Sequence, residues 1–269
     1  MSLPKFGMLT NPSINIIKEI NTVIGFGFDY VEIGIEEPEG KPEKLNKKIN
    51  EIKSLLQKNN KFATGHFAWW AELGTTNETV RKSWLVECKK AIEFCSKLEI
   101  KKLTVHSHAR GIFLSDKRLK KIILDNYIKS LKELVSYGRR FNVNIMLENA
   151  VEKREITSLD DFRYIVNRVP GLKVHIDIGH AFIWGGMKNT EKFITVFGNK
   201  IEHVHLHDNH GKFDEHLPIG KGKINWRRVV SVLRKINYEK TITLEIFSEN
   251  RENVVKSREK IKNLFRDIK

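Results

Sequence analysis

His203-Val204-His205-Leu206-His207-Asp208-Asn209-His210, continued through Asp214-Glu215-His216-Leu217-Pro218-Ile219-Gly220-Lys221-Gly222, holds five of the ten histidines of a 269-residue chain. Over residues 203–207 histidine alternates with Val or Leu. A period of two is that of a β-strand, so the three imidazoles share one face. Asp208, Asn209 and Gly211 are turn formers that end the strand, and the segment beyond adds Asp214 and His216. Imidazole and carboxylate are the usual ligands of zinc, manganese and similar ions. The alternative is a set of buried, hydrogen-bonded histidines. Five histidines with two aspartates in one stretch favour the rim of a metal site.

Outward from this stretch the chain alternates short apolar runs with amphipathic ones. Strands are expected at 5–9, 30–35, 62–66, 102–107, 144–149, 173–177, 201–207 and 241–246. Each precedes a helical pattern: from Ser13 to 24, from Pro42 to about 60, at 79–98, from Ser115 to about 141, from Ser158 (with Asp161 completing a capping-box-like start) to 168, and at 188–197, 226–236 and 251–267. Strict alternation implies a parallel sheet. Eight units in a chain of this length predict a closed (β/α)8 TIM barrel in one domain spanning 1–269. A doubly wound open sheet would carry a Gly-rich turn after the first strand, and Leu9-Thr10-Asn11-Pro12 is not one.

The composition is compatible with that fold: 40% of residues are hydrophobic, enough for a large core. Cys88 and Cys95 lie two helical turns apart, about 10 Å, beyond disulfide reach, and read as buried thiols of a reducing compartment. No apolar run approaches the roughly 20 residues of a membrane span, and the N-terminus lacks a signal-peptide pattern, so a cytoplasmic protein without membrane partners is expected. The net charge of +15 allows nucleic acid or phosphorylated partners. The lysines, however, are dispersed over nearly every predicted helix rather than gathered into one patch. Nothing in the sequence fixes an oligomeric state.

Strand parity places the polar residues inside. If Val204, Leu206, Ile242 and Leu244 face the helices, then His203, His205, His207, Thr243 and Glu245 face the lumen. The same rule turns His175 and Asp177, Glu148, His106 and His108, His66 and Glu32 inward. Of these, His66, His106, Glu148, Asp177, His205 and Glu245 fall at the carboxyl ends of strands, where barrels build active sites. His180 lies on the loop after strand six, and Asp214 and His216 return from the segment after strand seven. Nine candidate metal ligands therefore converge on one mouth, and the strands bring no Lys or Arg there to neutralise them. His175, His203 and Glu32 sit one layer lower, as hydrogen-bond partners of ligands. His210 is a loop histidine.

Leu147-Glu148-Asn149, Asp177-Ile178-Gly179-His180, His205-Leu206-His207-Asp208, Asp214-Glu215-His216-Leu217-Pro218-Ile219-Gly220-Lys221-Gly222 and Leu244-Glu245 together resemble the xylose isomerase-like barrel superfamily. It includes sugar isomerases and epimerases and the endonuclease IV family. The resemblance to its epimerase branch implies one metal held by Glu148, Asp177, His205 and Glu245. The resemblance to endonuclease IV implies up to three zinc ions held by His66, His106, Glu148, Asp177, His180, His205, Asp214, His216 and Glu245. Other marks of that endonuclease differ: Ala150-Val151 follows Glu148-Asn149 where it has Gly-Gln-Gly, His207 stands where it has Asn, and Glu215 where it has Arg. The leading expectation is thus an isomerase or epimerase of a small sugar, sugar acid or polyol derivative, using one to three Zn, Mn or Co ions. Glu148 and Glu245 would exchange the proton, and His180 would hold a substrate oxygen or a second metal. Trp69, Trp70, His108, Trp184, His207 and Lys221 are candidate substrate contacts. A zinc phosphodiesterase acting on abasic DNA is the second expectation, and a metal-containing barrel that binds without chemistry the third.

Overall fold

The structure, a computed structural model, describes residues 2–108, 116–151, 158–183 and 185–268. Eight parallel strands close in sequence order: β1 (Lys5–Leu9), β2 (Tyr30–Ile35), β3 (Phe62–Phe67), β4 (Lys102–His106), β5 (Asn144–Glu148), β6 (Lys173–Asp177), β7 (Ile201–Leu206) and β8 (Thr241–Leu244). Closure is made by β8 against β1, with Lys5 opposite Thr241 and Met8 opposite Leu244. Around the barrel run α1 (Ile16–Gly25), α2 (Pro42–Lys47), α3 (Ile49–Lys58), α4 (Glu78–Lys97), α5 (Lys117–Arg140), α6 (Leu159–Arg168), α7 (Ile178–Ile183), α8 (Gly186–Phe197), α9 (Trp226–Lys235) and α10 (Glu252–Asp267). This is the expected (β/α)8 barrel.

The apolar half of each strand packs outward. Val31, Ile33, Leu147, Val174, Ile176, Val204, Leu206 and Ile242 are fully buried between sheet and helices. Each such side chain contributes about 1.5–3 kcal/mol relative to exposure. Cys88 and Cys95 are buried free thiols in α4. Among the described residues no helix is long and apolar enough to cross a membrane.

Local differences from the sequence reading have local causes. α1 is capped by Asn15, whose side chain accepts from the Ile17 and Lys18 N–H groups, and not by Ser13. The single helix expected from Pro42 is two, because Lys48 leaves helical geometry at φ −107°, ψ 10°. Ser158 caps α6 as expected, accepting from the Asp161 N–H. The expected cap Ser115 lies outside the described residues; Asp116 caps α5, accepting from Arg118 and Leu119. His180 is not on a loop but inside α7, a six-residue helix too short for hydrophobic periodicity to reveal and weakened in propensity by Gly179.

Candidate metal centre

The strand register delivers the lumen residues at one level. Glu148 and Asp177 are the last residues of β5 and β6, His106 pairs with Glu148, and Asp177 pairs with His205. Glu245 follows directly on β8, and its N–H still donates to Leu206 at 3.2 Å, so its direction is fixed by the ladder. Glu148, Asp177, His205 and Glu245, all turned inward by strand parity, are buried, with candidate ligand atoms within 4.8 Å of one another.

Below them a polar layer orients the set. Glu32 accepts from His205 Nε2 at 2.8 Å and from His203 Nε2 at 3.1 Å, and His203 Nδ1 meets Thr241 Oγ1 at 2.7 Å. With Nε2–H given to Glu32, Nδ1 is the His205 nitrogen left to meet an ion, and it faces Glu245 Oε2 at 3.1 Å and Asp177 Oδ2 at 4.0 Å. A carboxylate behind the imidazole is the arrangement that fixes the tautomer of a ligating histidine. Burial draws His205 down, but Glu32 and Glu245 outweigh it and hold the imidazole well above its usual range. Burial raises Glu32 in turn, yet His203 and His205 keep its carboxyl well below the usual carboxylate range. Glu245 shows the same balance, burial against His205 and His216, and settles at about 2.

Two further groups adjoin this one. His66 Nε2 and His106 Nε2 lie 3.3 and 3.0 Å from Glu148 Oε2. On the other side, His180, His207, Asp214 and His216 gather around one point. His180 Nδ1 donates to the Asn149 carbonyl at 2.9 Å and His216 Nδ1 to the Glu245 carbonyl at 2.9 Å, which leaves the Nε2 atom of each turned toward Asp214. All nine residues expected as ligands thus lie in one contiguous cluster, and His207 joins them.

A divalent ion fits these residues. Both ring nitrogens of His66 and of His207, Glu148 Oε2 and Asp177 Oδ2 are buried without a hydrogen-bond partner. Buried polar atoms are rarely left so, and each costs about 1–3 kcal/mol. Lone pairs that converge within 3.0–3.3 Å of one another, out of line for hydrogen bonding, are what a ligand shell presents.

Above the cluster opens a cavity of about 1480 Å³, lined in part by His66, His106, Glu148, His180, His216 and Glu245. That is larger than the usual small-molecule pocket of roughly 300–1,000 Å³. Trp69 and His108 form one wall, edge to face at 5.5 Å. Trp70 packs edge-on against Trp69 at 5.6 Å and faces a side pocket with Trp84 instead. Trp184 lies outside the described residues. Lys221 is exposed and is not among the residues lining the cavity. Its turn wraps Asp208, whose buried carboxylate accepts from Gly220 N, Ile224 N and Trp226 Nε1. His210 is half exposed and pairs with Glu215 at 3.0 Å.

Sequence reasoning missed Glu36. It continues the inward series Glu32, Gly34 just past β2, so the parity rule extended by one step finds it. It lines the cavity, its Oε2 has no partner, and burial raises its carboxyl above the ordinary value. Cations also reach the mouth, from loops rather than strands: Lys212 and Arg251 line the cavity. Arg251 is spent on a bidentate pair with buried Glu19 at 2.6 and 2.9 Å.

The chain has relatives among known proteins. An uncharacterized protein of Methanocaldococcus jannaschii is 35% identical over 173 residues, covering 64% of this chain; the chain spans 66% of that relative's length, just under two thirds. The L-ribulose-5-phosphate 3-epimerase UlaE of Escherichia coli K12 is 21% identical over 248 residues, 88% of this chain and 85% of the enzyme. Among solved structures, a D-tagatose 3-epimerase-like protein superposes with TM-score 0.87 at 28% identity, covering 98% of both chains. The IOLI protein, solved with a bound zinc atom, superposes with TM-score 0.81 at 18% identity over 98% of this chain and 99% of its own. The model of the xylose isomerase-like TIM barrel family matches residues 22–266, and the chain belongs to that family.

Proposed function

We propose that the protein is a divalent-metal-dependent epimerase of a small ketose, free or phosphorylated. The observation that carries this reading is the placement of two carboxylates, Glu148 on β5 and Glu245 after β8, in one ligand set at the base of an open cavity. Strands five and eight lie three places apart around the barrel, so the two carboxylates would approach a substrate carbon from different sides. Inversion needs that: one carboxylate removes the proton from the carbon beside the carbonyl, and the other returns a proton to the opposite face. An ion held by Glu148, Asp177, His205 and Glu245 would supply Lewis-acid stabilisation of charge developing on the adjacent carbonyl oxygen. Trp69 and His108 wall the cavity, and Glu36 offers a carboxyl to a sugar hydroxyl. The sugar epimerases among the relatives, and the zinc atom in one structural neighbour, support the reading.

The test is solvent exchange. Metal-depleted protein, reloaded with Mn, Co or Zn, is incubated in D2O with ketopentoses, ketohexoses and their phosphates. Deuterium entering at the carbon next to the carbonyl, with the epimer appearing, is the expected result. Glu148→Gln and Glu245→Gln should each slow it by about 10²–10⁴-fold, the usual contribution of a general acid or base. Full exchange in either variant would overturn the assignment. The additional groups around His66 and His180 favour a second reading, a zinc phosphodiesterase of the endonuclease IV kind. Cleavage of an abasic duplex by the zinc-loaded protein, with no sugar exchange, would establish that reading instead.

A further inference from the structure

We infer that His207 completes a second, four-ligand ion site with His180, Asp214 and His216, selective for zinc, whose work is to fasten the chain after β7 to α7 rather than to do chemistry. The site adjoins the set formed by Glu148, Asp177, His205 and Glu245, with His207 Nε2 3.2 Å from Asp177 Oδ1, but differs from it in all four ligands, and the inference does not depend on the sugar reading.

The distances suit a tetrahedron. Zinc bonds of about 2.0–2.1 Å require ligand atoms about 3.3 Å apart. His207 Nε2 is 3.4 Å from Asp214 Oδ1, His180 Nε2 is 3.4 Å from Asp214 Oδ2, and His216 Nε2 is 3.0 Å from the same oxygen. Two of the three imidazoles are already locked with Nδ1–H on a backbone carbonyl, leaving Nε2 for an ion. An ion pair of protonated histidines with Asp214 would account for His180 and His216. It does not account for His207, which is fully buried and whose two nitrogens have no hydrogen-bond partner, Nε2 lying 3.2 Å from Asp177 Oδ1 without hydrogen-bond geometry.

Room for that ring is built in. A Cβ on Gly179 would lie 2.0 Å from His207 Cε1 and 2.3 Å from Nε2, so only glycine admits the imidazole there. His216 is held at φ +46°, a left-handed conformation that costs a non-glycine residue energy and persists where something fixes it. Asp214 and His216 lie on the segment that returns to pair with Asp208 through Leu217, and His180 lies on α7. An ion between them ties that segment to the barrel.

Ligand type separates the two sites. Three imidazoles and one carboxylate suit four-coordinate zinc, and four protein ligands leave it no open position. Three carboxylates and one imidazole suit an ion of higher coordination number that keeps positions for substrate oxygens.

The test counts ions in the full-length protein. Wild type loaded with zinc and then treated with a moderate chelator should retain one ion per chain by mass spectrometry of the metal, and Co(II) replacing it should give the strong visible bands of four-coordinate cobalt. His207→Asn and, independently, Asp214→Asn should each lose that ion, with zinc retention weakened more than about a hundredfold, beyond the 10–100-fold typical of an outer-shell loss. Glu245→Gln should keep it. Chymotryptic cleavage at the exposed Phe213 should accelerate with loss of the ion. Wild-type protein without four-coordinate cobalt bands, or a folded His207→Asn variant with unchanged ion count and spectrum, would overturn the inference.

Discussion

Gly179→Ala tests the packing around His207 with the smallest change available. The new Cβ would meet the imidazole at 2.0, 2.3 and 2.6 Å. Ordinary contact is about 3.5–4.0 Å, so the ring must recede by about 1.5 Å. Behind it lies His216, stacked at 4.1 Å and 26°, and behind that Phe247, stacked at 4.2 Å and 22°. Phe247 is 65% exposed, so the stack yields at its outer end instead of breaking the barrel. Overpacking of this kind costs about 1–3 kcal/mol. Replacing Gly by Ala within a helix returns about 1 kcal/mol, and Gly179 has no left-handed backbone to strain. The net is a loss of about 0–2 kcal/mol, a fall in Tm of up to about 8 °C at roughly 2–4 °C per kcal/mol. The effect on metal is larger than the effect on stability, because a ring moved by about 1.5 Å cannot make a bond of about 2.0 Å. Thermal melts and metal content, measured beside Gly25→Ala, form the assay; a Cβ at Gly25 meets nothing within 4 Å. We expect Gly179→Ala to fold, melt a few degrees lower, and hold one ion fewer, while the control changes neither quantity downward. A Gly179→Ala protein with its full complement of ions and a crystal structure showing His207 unmoved would refute the reasoning.

The other predictions concern the layers beneath and beside the site. Glu32→Gln keeps the shape of the buried acceptor for His203 and His205 but removes its charge, and should weaken metal binding about 10–100-fold, with turnover restored by excess metal; an unchanged metal titration would count against the orienting role. Metal uptake by the metal-free protein should release protons: burial lowers His216, but Glu245 and Asp214 outweigh it and hold the imidazole at about 9. This pKa is raised, so the proton is present below about pH 9 and must leave before Nε2 can bind an ion. Affinity should therefore rise with pH toward about 9 and fall by up to about tenfold per unit below it, and calorimetry at pH 7.5 in two buffers of different ionisation enthalpy should register the released proton. Asp208→Ala strands the donors of Gly220 and of the buried Ile224 and Trp226, and should cost about 3–5 kcal/mol, read as a Tm lower by roughly 6–20 °C.

How far the residues announced this site depends on what each side chain's direction answers to. Glu148, Asp177 and His205 were legible because a strand alternates strictly: once Leu147, Ile176 and Val204 face the helices, their neighbours must face the lumen, and the parallel register sets them level. Glu36 obeyed the same rule and was passed over only because it falls one residue beyond β2. Lys212 and Arg251 could not be read this way, since loop residues reach the mouth by the path of the chain and not by parity. His207 lies between the two cases. Parity turns it inward, which suggested a substrate contact, but its partners are chosen by α7, the strained backbone of His216 and the bare Cα of Gly179, three features that no spacing along the chain relates to one another. The division of labour follows from the same contrast. The carboxylate-rich set is built from strand ends, whose spacing is fixed by the barrel and opens upward to the cavity, as a site that must admit substrate requires. The imidazole-rich set is built largely from residues after the strands, whose positions the barrel alone does not fix. It is there that a closed ion contributes most, by ordering the segment that forms the wall of the cavity.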